Sequence, residues 1–160
     1  MEQRQKPMGM EENLTVVMMR VRRSVRTALR EAVREEGLTQ NEIEVLLFLQ
    51  RGRFDTARDI SRVRGMPRSL VSKAVDQLVK RGYVATRQDK RDRRVVRLEL
   101  LPPAQAIVGK LVQARQEFFA QLCKGITQEE ADAFFSMVDK MTENLSGMKE
   151  LSEEEKEERL

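Results

Sequence analysis

The hydrophobic period of this chain changes at Gly82, and no other feature of the sequence constrains its fold as strongly. Upstream of Gly82, apolar residues recur every three or four positions, which predicts amphipathic helices. Downstream, the segments 83–87 and 95–100 follow a period of two, which predicts a pair of strands. The helical period returns after the dipeptide Pro102-Pro103. The predicted fold class is therefore mainly α with a small β-hairpin.

Two short helices are predicted directly before Gly82, with a tight turn between them. Thr56 and Asp59 can open the first helix as a capping box, and Gly65 ends it. Pro67 stands where the first turn of a helix tolerates proline, so a second helix is expected to run from there to Gly82. This arrangement is typical of a helix-turn-helix.

The positive charge of the chain is concentrated in one block. Residues 51–97 carry 15 basic and 5 acidic side chains, a net charge of +10, although the whole chain has a net charge of only +4. Residues 1–50 are neutral overall, and both 98–148 and 149–160 have a net charge of −3. Such a block is typical of a surface that binds a polyanion, and the alternative is a solvated charged face.

The second short helix has one apolar and one polar face when its residues are placed about 100° apart. The apolar face carries Leu70, Val71, Ala74, Val75 and Leu78. The opposite face carries Arg68, Ser69, Ser72 and Lys73. Hydroxyl groups and cations near the start of such a helix suit base edges and phosphates, so we predict that these four residues contact DNA.

The connection between the two predicted strands is strongly basic. Its sequence, QDKRDRR at 88–94, contains four cations and two aspartates. A hairpin tip of this composition has no role in a hydrophobic core, and we predict that it contacts DNA. The alternative is a strand edge that charge protects against aggregation. The predicted contacts are Lys90, Arg91, Arg93 and Arg94.

The residue types that are missing exclude several classes of enzyme. The chain has no histidine and a single cysteine, Cys123. Histidine general bases, Ser-His-Asp and Cys-His catalytic systems, His-containing zinc sites and an intrachain disulfide are therefore excluded. The sequence also lacks a Gly-rich phosphate loop and a nucleophile motif. We predict a protein that is not an enzyme and that has no cofactor and no metal.

Cysteine usage and hydropathy indicate a cytoplasmic protein. A single thiol suits a reducing compartment, and Cys123 is expected to be a buried or half-buried structural residue, with a redox role as the alternative. No apolar run is long enough to span a bilayer, and the N-terminal residues lack the apolar core of a signal peptide. We therefore predict no membrane partner.

Apolar stripes at helical spacing lie on both sides of the central segment. One long helix is expected within residues 13–37, and two more are expected within 102–147. One small lobe cannot bury three such helices, so we predict that they pair with a second copy of the chain. The residues assigned to this dimer contact are Leu14, Val17, Val21, Leu111, Phe118, Leu122, Phe134, Phe135 and Met141.

Residues 38–106 resemble the multiple-antibiotic-resistance-regulator (MarR) family of bacterial winged-helix transcription factors. The matching strings are LTQNEIEVLLFL, TARDISRVRGMPRSLVSKAVDQLVKRGYV and DKRDRRVVRLELLPPA. The last string is the most specific, because the wing of this family carries an acid, two arginines and a strand that ends in leucine. Asp92, Arg93, Arg94 and Leu100 occupy those positions. The family often continues with threonine and a Gly-containing turn, where this chain has Leu-Pro-Pro at 101–103.

The resemblance implies a homodimer with intertwined N- and C-terminal helices that binds a pseudo-palindromic operator in double-stranded DNA. It also implies release of the DNA, in many members, by a small anionic or aromatic effector. In the wing, it implies that Asp92 pairs with Arg94 and shapes the hairpin, which leaves Arg91 and Arg93 to reach the minor groove. We therefore predict a transcriptional repressor. The alternative is a winged-helix module or anti-regulator that binds another protein and has no operator of its own.

The predicted organisation has five parts, with a winged helix-turn-helix lobe at the centre. Residues 1–12 are expected to be a flexible N-terminus. The remaining parts are an N-terminal dimerisation helix at 13–37, the DNA-binding lobe at 38–101, C-terminal dimerisation helices at 102–147 and an acidic tail at 148–160 that is expected to fray.

Overall fold

The computed structural model describes residues 9–157, in which the chain forms six helices and one two-stranded antiparallel sheet. The helices are α1 (Met10–Ala32), α2 (Gln40–Gln50), α3 (Ala57–Arg64), α4 (Arg68–Lys80), α5 (Pro102–Leu122) and α6 (Gln128–Glu157), and the strands are β1 (Val84–Gln88) and β2 (Val96–Leu100). The predicted fold class is confirmed. The contacts divide the chain into two compact units, 1–120 and 121–160, which are considered separately.

Local hydrogen bonds fix where the helices of the first unit begin and end. Thr39 and Glu42 form a capping box at the start of α2, in which Glu42 Oε2 accepts from the Thr39 amide at 2.7 Å. At the start of α3, Thr56 Oγ1 accepts from the Asp59 amide at 3.1 Å. Gly65 ends α3 in the left-handed region at φ 63°, which a residue with a Cβ rarely adopts. The predicted helix start at Thr56 and helix end at Gly65 are confirmed, but the Thr56–Asp59 capping box forms only in part, because Asp59 Oδ2 accepts from the Thr56 hydroxyl at 2.6 Å.

The hydrophobic core lies where α2 meets α1, α4 and β2. α2 is buried on most of its surface because it packs against elements on several sides. Only the ends of α1 and α5 nearest the lobe contribute, with Leu29 from α1, Val33 directly after it, and Ala104 to Leu111 from α5. The largest fully buried apolar side chains are Val33, Ile43, Val45, Leu46, Ile60, Val71, Leu78, Val84 and Leu111.

The burial pattern corrects two predictions. Leu111 is predicted at a dimer contact, but it is 0% exposed within a single chain and belongs to the core. Leu70 is predicted on the apolar face of its helix, but it is 41% exposed. The reason is geometric, since Leu70 lies about 40° beyond Ala74, at the edge of the arc that α4 buries.

The hairpin has the predicted two strands with regular antiparallel register. Val84 lies opposite Leu100, Thr86 opposite Leu98, and Gln88 opposite Val96. Leu98 is buried and Val96 is 46% exposed, because only the end of the hairpin nearest Val84 reaches the core.

Both ends of the described chain differ from the predicted boundaries. The flexible N-terminus is predicted over 1–12; residues 1–8 lie outside the described part, and α1 already includes 10–12. The acidic tail is predicted over 148–160, but α6 continues to Glu157, and 158–160 lie outside the described part. Leu, Glu and Lys favour helix, so this composition extends α6 where fraying is expected from the sequence.

Outside the core, the long helices expose apolar side chains within the single chain. Val17 of α1 is 55% exposed, Leu122 at the end of α5 is 45% exposed, and Phe134 and Phe135 of α6 are 52% and 62% exposed. Four further residues assigned to the dimer contact, Leu14, Val21, Phe118 and Met141, are half-buried.

Cys123 is exposed, so the expectation of a buried or half-buried thiol is wrong. It lies one residue beyond α5, in the turn before α6, and therefore escapes the packing that buries the start of α5. None of the described helices is long and apolar enough to cross a bilayer.

Candidate nucleic-acid interface

The first part of the candidate interface is the polar face of α4, called here the recognition face. It consists of Arg68, Ser69, Ser72 and Lys73, all of which are exposed. They are exposed because α4 turns its other face to α2 and α3 and buries Val71, Ala74, Val75 and Leu78 there. The structure therefore brings the four predicted recognition residues together on one accessible surface.

The turn between α3 and α4 holds the start of the recognition face in place. After Gly65, the Met66 amide donates to the Ser61 carbonyl at 3.1 Å. The Ser61 hydroxyl donates in return to the Met66 carbonyl at 2.7 Å. These bonds tie the end of α3 to the residues that precede Arg68, so the N-terminal turn of α4 is fixed by contacts outside the helix itself.

The second part of the interface is the wing tip, residues 89–95, which connects β1 to β2. Asp89 Oδ1 accepts from the backbone amides of Arg91 at 2.8 Å and Asp92 at 3.0 Å. Asp92 Oδ1 accepts from the Arg94 amide at 2.9 Å, and its carbonyl accepts from the Val95 amide at 2.9 Å. Two aspartates thus shape the turn through the backbone. The predicted wing cations Lys90, Arg91, Arg93 and Arg94 are all exposed.

Asp55, Asp89 and Arg97 form what we call the wing clamp. Arg97 Nε donates to Asp89 Oδ2, and Arg97 Nη1 donates to Asp55 Oδ1 at 2.7 Å. The Leu98 amide also donates to the Asp55 carbonyl at 2.7 Å. Since Asp55 lies between α2 and α3, the wing clamp joins the hairpin to the helical part of the lobe.

The electrostatics of the wing clamp follow from these contacts. The Asp92 amide, the Arg97 guanidinium and the Arg91 amide, in that order, lower the pKa of Asp89 to about 2. Hydrogen bonds from Arg97 to Asp89 and Asp55 raise the pKa of that guanidinium. Near pH 7, Asp89 is therefore ionised and Arg97 is protonated, so the two side chains form an ion pair.

The predicted pairing of Asp92 with Arg94 is corrected by this geometry. Asp92 contacts the backbone of Arg94, and the acids that pair with a wing arginine side chain are Asp89 and Asp55, both with Arg97. The clamp is not among the contacts predicted from the sequence. Its signal is the hairpin register, which brings Asp89 near Arg97, but Asp55 is 42 residues from Arg97 and no local pattern reports that distance.

The structure sorts the cations of the basic block into two groups. Arg62, Arg64, Arg81 and Arg97 pair with acids of the lobe or the wing. Arg64 is also close to the Phe48 ring, at 6.0 Å from its centroid, and burial lowers the pKa of its guanidinium. The other basic residues of the block form no ion pair with any described side chain. They are Arg51, Arg53, Arg58, Arg68, Lys73, Lys80, Arg87, Lys90, Arg91, Arg93 and Arg94.

Exposed guanidinium, ammonium and hydroxyl groups of this kind bind phosphates and base edges. The described residues include no cluster of Cys, Asp and Glu side chains arranged to hold a metal ion. The interface is therefore suited to recognise a polyanion, and two of its parts, the recognition face and the wing tip, contain all the residues predicted to contact DNA.

The sequence comparison points to one family. Residues 34–95 match the sequence model of the MarR family. The chain is 33% identical over 99 residues to the uncharacterized HTH-type transcriptional regulator YcgE of Bacillus subtilis. That match covers 59% of this chain and 64% of the relative, so the chain spans somewhat less than two thirds of the length of that relative.

Solved structures share the fold at low identity. A MarR-family transcriptional regulator from Silicibacter pomeroyi superposes with a TM-score of 0.73 at 24% identity, over 85% of this chain and 92% of that one. A Listeria monocytogenes protein assigned to the same family, solved in complex with a 26-mer DNA, has a TM-score of 0.73 at 16% identity. That superposition covers 88% of this chain and 91% of the other. These likenesses show the winged-helix fold.

Proposed function

We propose that this chain, whose residues 34–95 match the sequence model of the MarR family, is a sequence-specific DNA-binding regulator of transcription. Relatives named as HTH-type transcriptional regulators, rather than enzymes, support this class of function. One observation carries the proposal. The cations of the recognition face and the wing tip lack acidic partners among the described side chains, whereas Arg62, Arg64, Arg81 and Arg97 have them.

The recognition face supplies the sequence-reading part of the proposal. The N-terminal half of α4 enters the major groove, as recognition helices do. Arg68 there is suited to a bidentate contact with guanine, and Ser69 and Ser72 can donate to or accept from base edges. Lys73, one turn farther along the same face, contacts a phosphate.

The wing tip supplies a contact that depends little on sequence. Arg91 and Arg93 reach the neighbouring minor groove, and Lys90 and Arg94 contact phosphates beside it. The wing clamp supports this role because it fixes the hairpin to the lobe that also carries α4. Both contacts are then presented to one duplex at a constant separation.

The functional assembly is proposed to be a homodimer that represses by occupying a pseudo-palindromic operator. Exposed apolar side chains on the long helices support the dimer, since a monomer in water rarely leaves so many uncovered. Two symmetry-related lobes bind two half-sites, which is why the operator is expected to be a pseudo-palindrome. The match to the MarR family model supports release by a small anionic or aromatic effector.

Selection from a randomised duplex pool tests this function directly. Full-length protein should enrich a pseudo-palindromic sequence, and it should bind the enriched duplex more tightly than a scrambled duplex of the same composition. Its affinity for the scrambled duplex should fall steeply with salt, because each neutralised phosphate releases counterions. A winged-helix module that binds another protein instead would enrich no sequence and would lose no DNA binding on Arg68→Ala.

A further inference from the structure

Glu36, in the turn between α1 and α2, is contacted by side chains from two other elements. Arg81, the residue directly after α4, donates from Nη1 to the Glu36 carbonyl at 2.7 Å and from Nη2 to the Gly37 carbonyl at 3.2 Å. Lys110 of α5 donates from Nζ to Glu36 Oε1 at 2.7 Å. One residue of this turn therefore joins the end of α4 to α5.

The Arg81 guanidinium also faces a buried carboxylate. Its Nε lies 3.6 Å from Oε1 of Glu42, a side chain that is 2% exposed. The other oxygen of Glu42 accepts from the Thr39 amide at 2.7 Å. Arg81 thus contacts two carbonyls of the turn between α1 and α2 and one buried acid in the first turn of α2. We call Glu36, Glu42, Arg81 and Lys110 the α4 junction.

The contact between Glu36 and Lys110 is the accessible half of the junction. The Glu36 side chain is 15% exposed and that of Lys110 is 49% exposed. The hydrogen bond between them lowers the pKa of Glu36 and raises that of Lys110. Glu36 Oε2 is buried and has no hydrogen-bond partner among the described residues, so the carboxylate depends on Lys110 for its neutralisation.

The junction lies at the C-terminal end of α4, whereas the turn that joins α3 to α4 lies at the N-terminal end of that helix. The 13 residues of α4 span about 20 Å, so a tilt of about 5° at Arg81 moves the N-terminal turn by about 2 Å. A displacement of that size breaks a hydrogen bond to a base edge, but it leaves the long-range attraction between cations and phosphates almost unchanged. The junction therefore bears on sequence discrimination rather than on general DNA affinity.

We propose that Arg81 and Lys110 are positioning residues, which set the orientation of the recognition face relative to α1 and α5 and thereby its selectivity for an operator. The inference rests on the proposed function. An isolated surface ion pair contributes little on its own. Here Arg81 donates to the carbonyl of Glu36, and Lys110 donates to the carboxylate of the same residue. A shift of Glu36 at one contact therefore displaces the other contact as well.

Charge reversal tests the Lys110 contact. The variants are Lys110→Glu, Glu36→Lys and the double exchange, compared with Lys124→Glu, an exposed lysine that forms no ion pair with described residues. The probes are the duplex that wild-type protein enriches from a randomised pool and a scrambled duplex of the same length. Each single reversal should weaken binding to the enriched duplex about three- to tenfold, and the double exchange should restore it. For Lys110→Glu, binding to the scrambled duplex should match that of Lys124→Glu, because the two variants have the same net charge.

A merely structural role would give a different result. Equal losses on both duplexes, in step with a lower thermal midpoint, would overturn the proposal, as would a double exchange that fails to recover selectivity. If wild-type protein enriches no sequence, the proposed function itself has failed, and that outcome is seen before any variant is compared.

Arg81 is tested by a variant that keeps its charge. Arg81→Met leaves the buried Glu42 without its cation and is expected to fold poorly. Arg81→Lys retains the charge but cannot reach two carbonyls and Glu42 at once, since lysine presents a single ammonium group. It should lose selectivity for the enriched duplex while it keeps its affinity for the scrambled one. Unchanged selectivity in Arg81→Lys would remove Arg81 from the proposal.

Discussion

Arg68 and Lys73 are exposed cations on α4 that form no ion pair with the described side chains, so replacing either removes no contact that holds the lobe. Arg68→Ala and Lys73→Ala should each weaken binding to the enriched duplex, with helicity and sizing behaviour unchanged. If Arg68 makes a bidentate base contact, discrimination at that base pair should fall by about 1–3 kcal/mol. Titration against duplexes substituted one base pair at a time measures this.

The matched control for these two variants is Lys124→Ala, which removes the same charge from an exposed lysine outside the recognition face. Its binding should stay within the small change expected from net charge alone. Wild-type affinity in both Arg68→Ala and Lys73→Ala would show that this face of α4 does not meet DNA.

Asp89 gives a pH prediction for the wing tip. Its pKa lies near 2, below the ordinary value for aspartate, so its ionised form stabilises the folded wing at every pH above the ordinary value. That contribution disappears as the pH falls through about 2. The side-chain carboxyl carbon of Asp89, followed by NMR, should therefore show no transition between pH 8 and pH 5 and should titrate only in strong acid. A midpoint near the usual aspartate value would contradict the clamp geometry.

As an element, the wing separates two kinds of arginine. Arg97→Gln and Arg94→Gln remove the same charge, but only Arg97 is held by Asp89 and Asp55. Arg97→Gln should shift the hairpin amide resonances and loosen the strand pairing. Arg94→Gln should leave those resonances in place and weaken binding to random DNA. If Arg94→Gln disturbs the hairpin as much as Arg97→Gln does, the assignment of the clamp is wrong.

The wing tip should also contribute to affinity without regard to sequence. Replacing Arg91 and Arg93 together by alanine should lower affinity for enriched and scrambled duplexes in parallel. The slope of log affinity against log salt should flatten by about 0.9 for each phosphate that the variant no longer neutralises. If the Arg91 and Arg93 double variant binds only the enriched duplex more weakly, minor-groove contact is contradicted.

Asp92→Ala removes one acid near the polyanion and one acceptor for the Arg94 amide. The sign of its net effect on DNA affinity measures which of the two effects is larger.

For the whole molecule, the exposed aromatic rings of α6 predict the oligomeric state. The protein should elute at about twice its chain mass of 18.6 kDa. Phe134→Asp and Phe135→Asp should convert it to a monomer with helicity retained, because neither ring is buried within its own chain. Analytical ultracentrifugation at micromolar concentration measures this. A wild-type monomer at that concentration would contradict the dimer.

Most of the fold is accessible from the sequence because its signals are local. Thr39, Thr56 and Gly65 act within four residues of themselves, and the period of apolar residues identifies which face of α4 is buried. Periodicity gives a face but not its width, which is why it places Leu70 in the core. It also cannot tell the core of one chain from a contact between two, which is why it places Leu111 at a dimer contact.

The contacts that organise the candidate site could not be predicted because they join distant parts of the chain. Asp55 is 42 residues from Arg97, and Glu36 is 74 residues from Lys110. No spacing rule relates such pairs, since their approach is set by how α2, the hairpin and α5 pack. The basic surface is easier to predict, because the net charge of a segment can be counted directly from its sequence.

Because the Leu98 amide donates to the Asp55 carbonyl, the wing has two regions whose backbone amides are expected to exchange hydrogen with solvent at different rates. At 2.7 Å and beside a buried side chain, this amide is expected to exchange its hydrogen with solvent only when the lobe opens. The amides of Lys90 and Arg93 are not among those bonded within the described tip and should exchange in seconds. In heavy water, the wing should therefore take up deuterium from its tip inwards, and bound DNA should slow uptake at the tip while leaving Leu98 as it was.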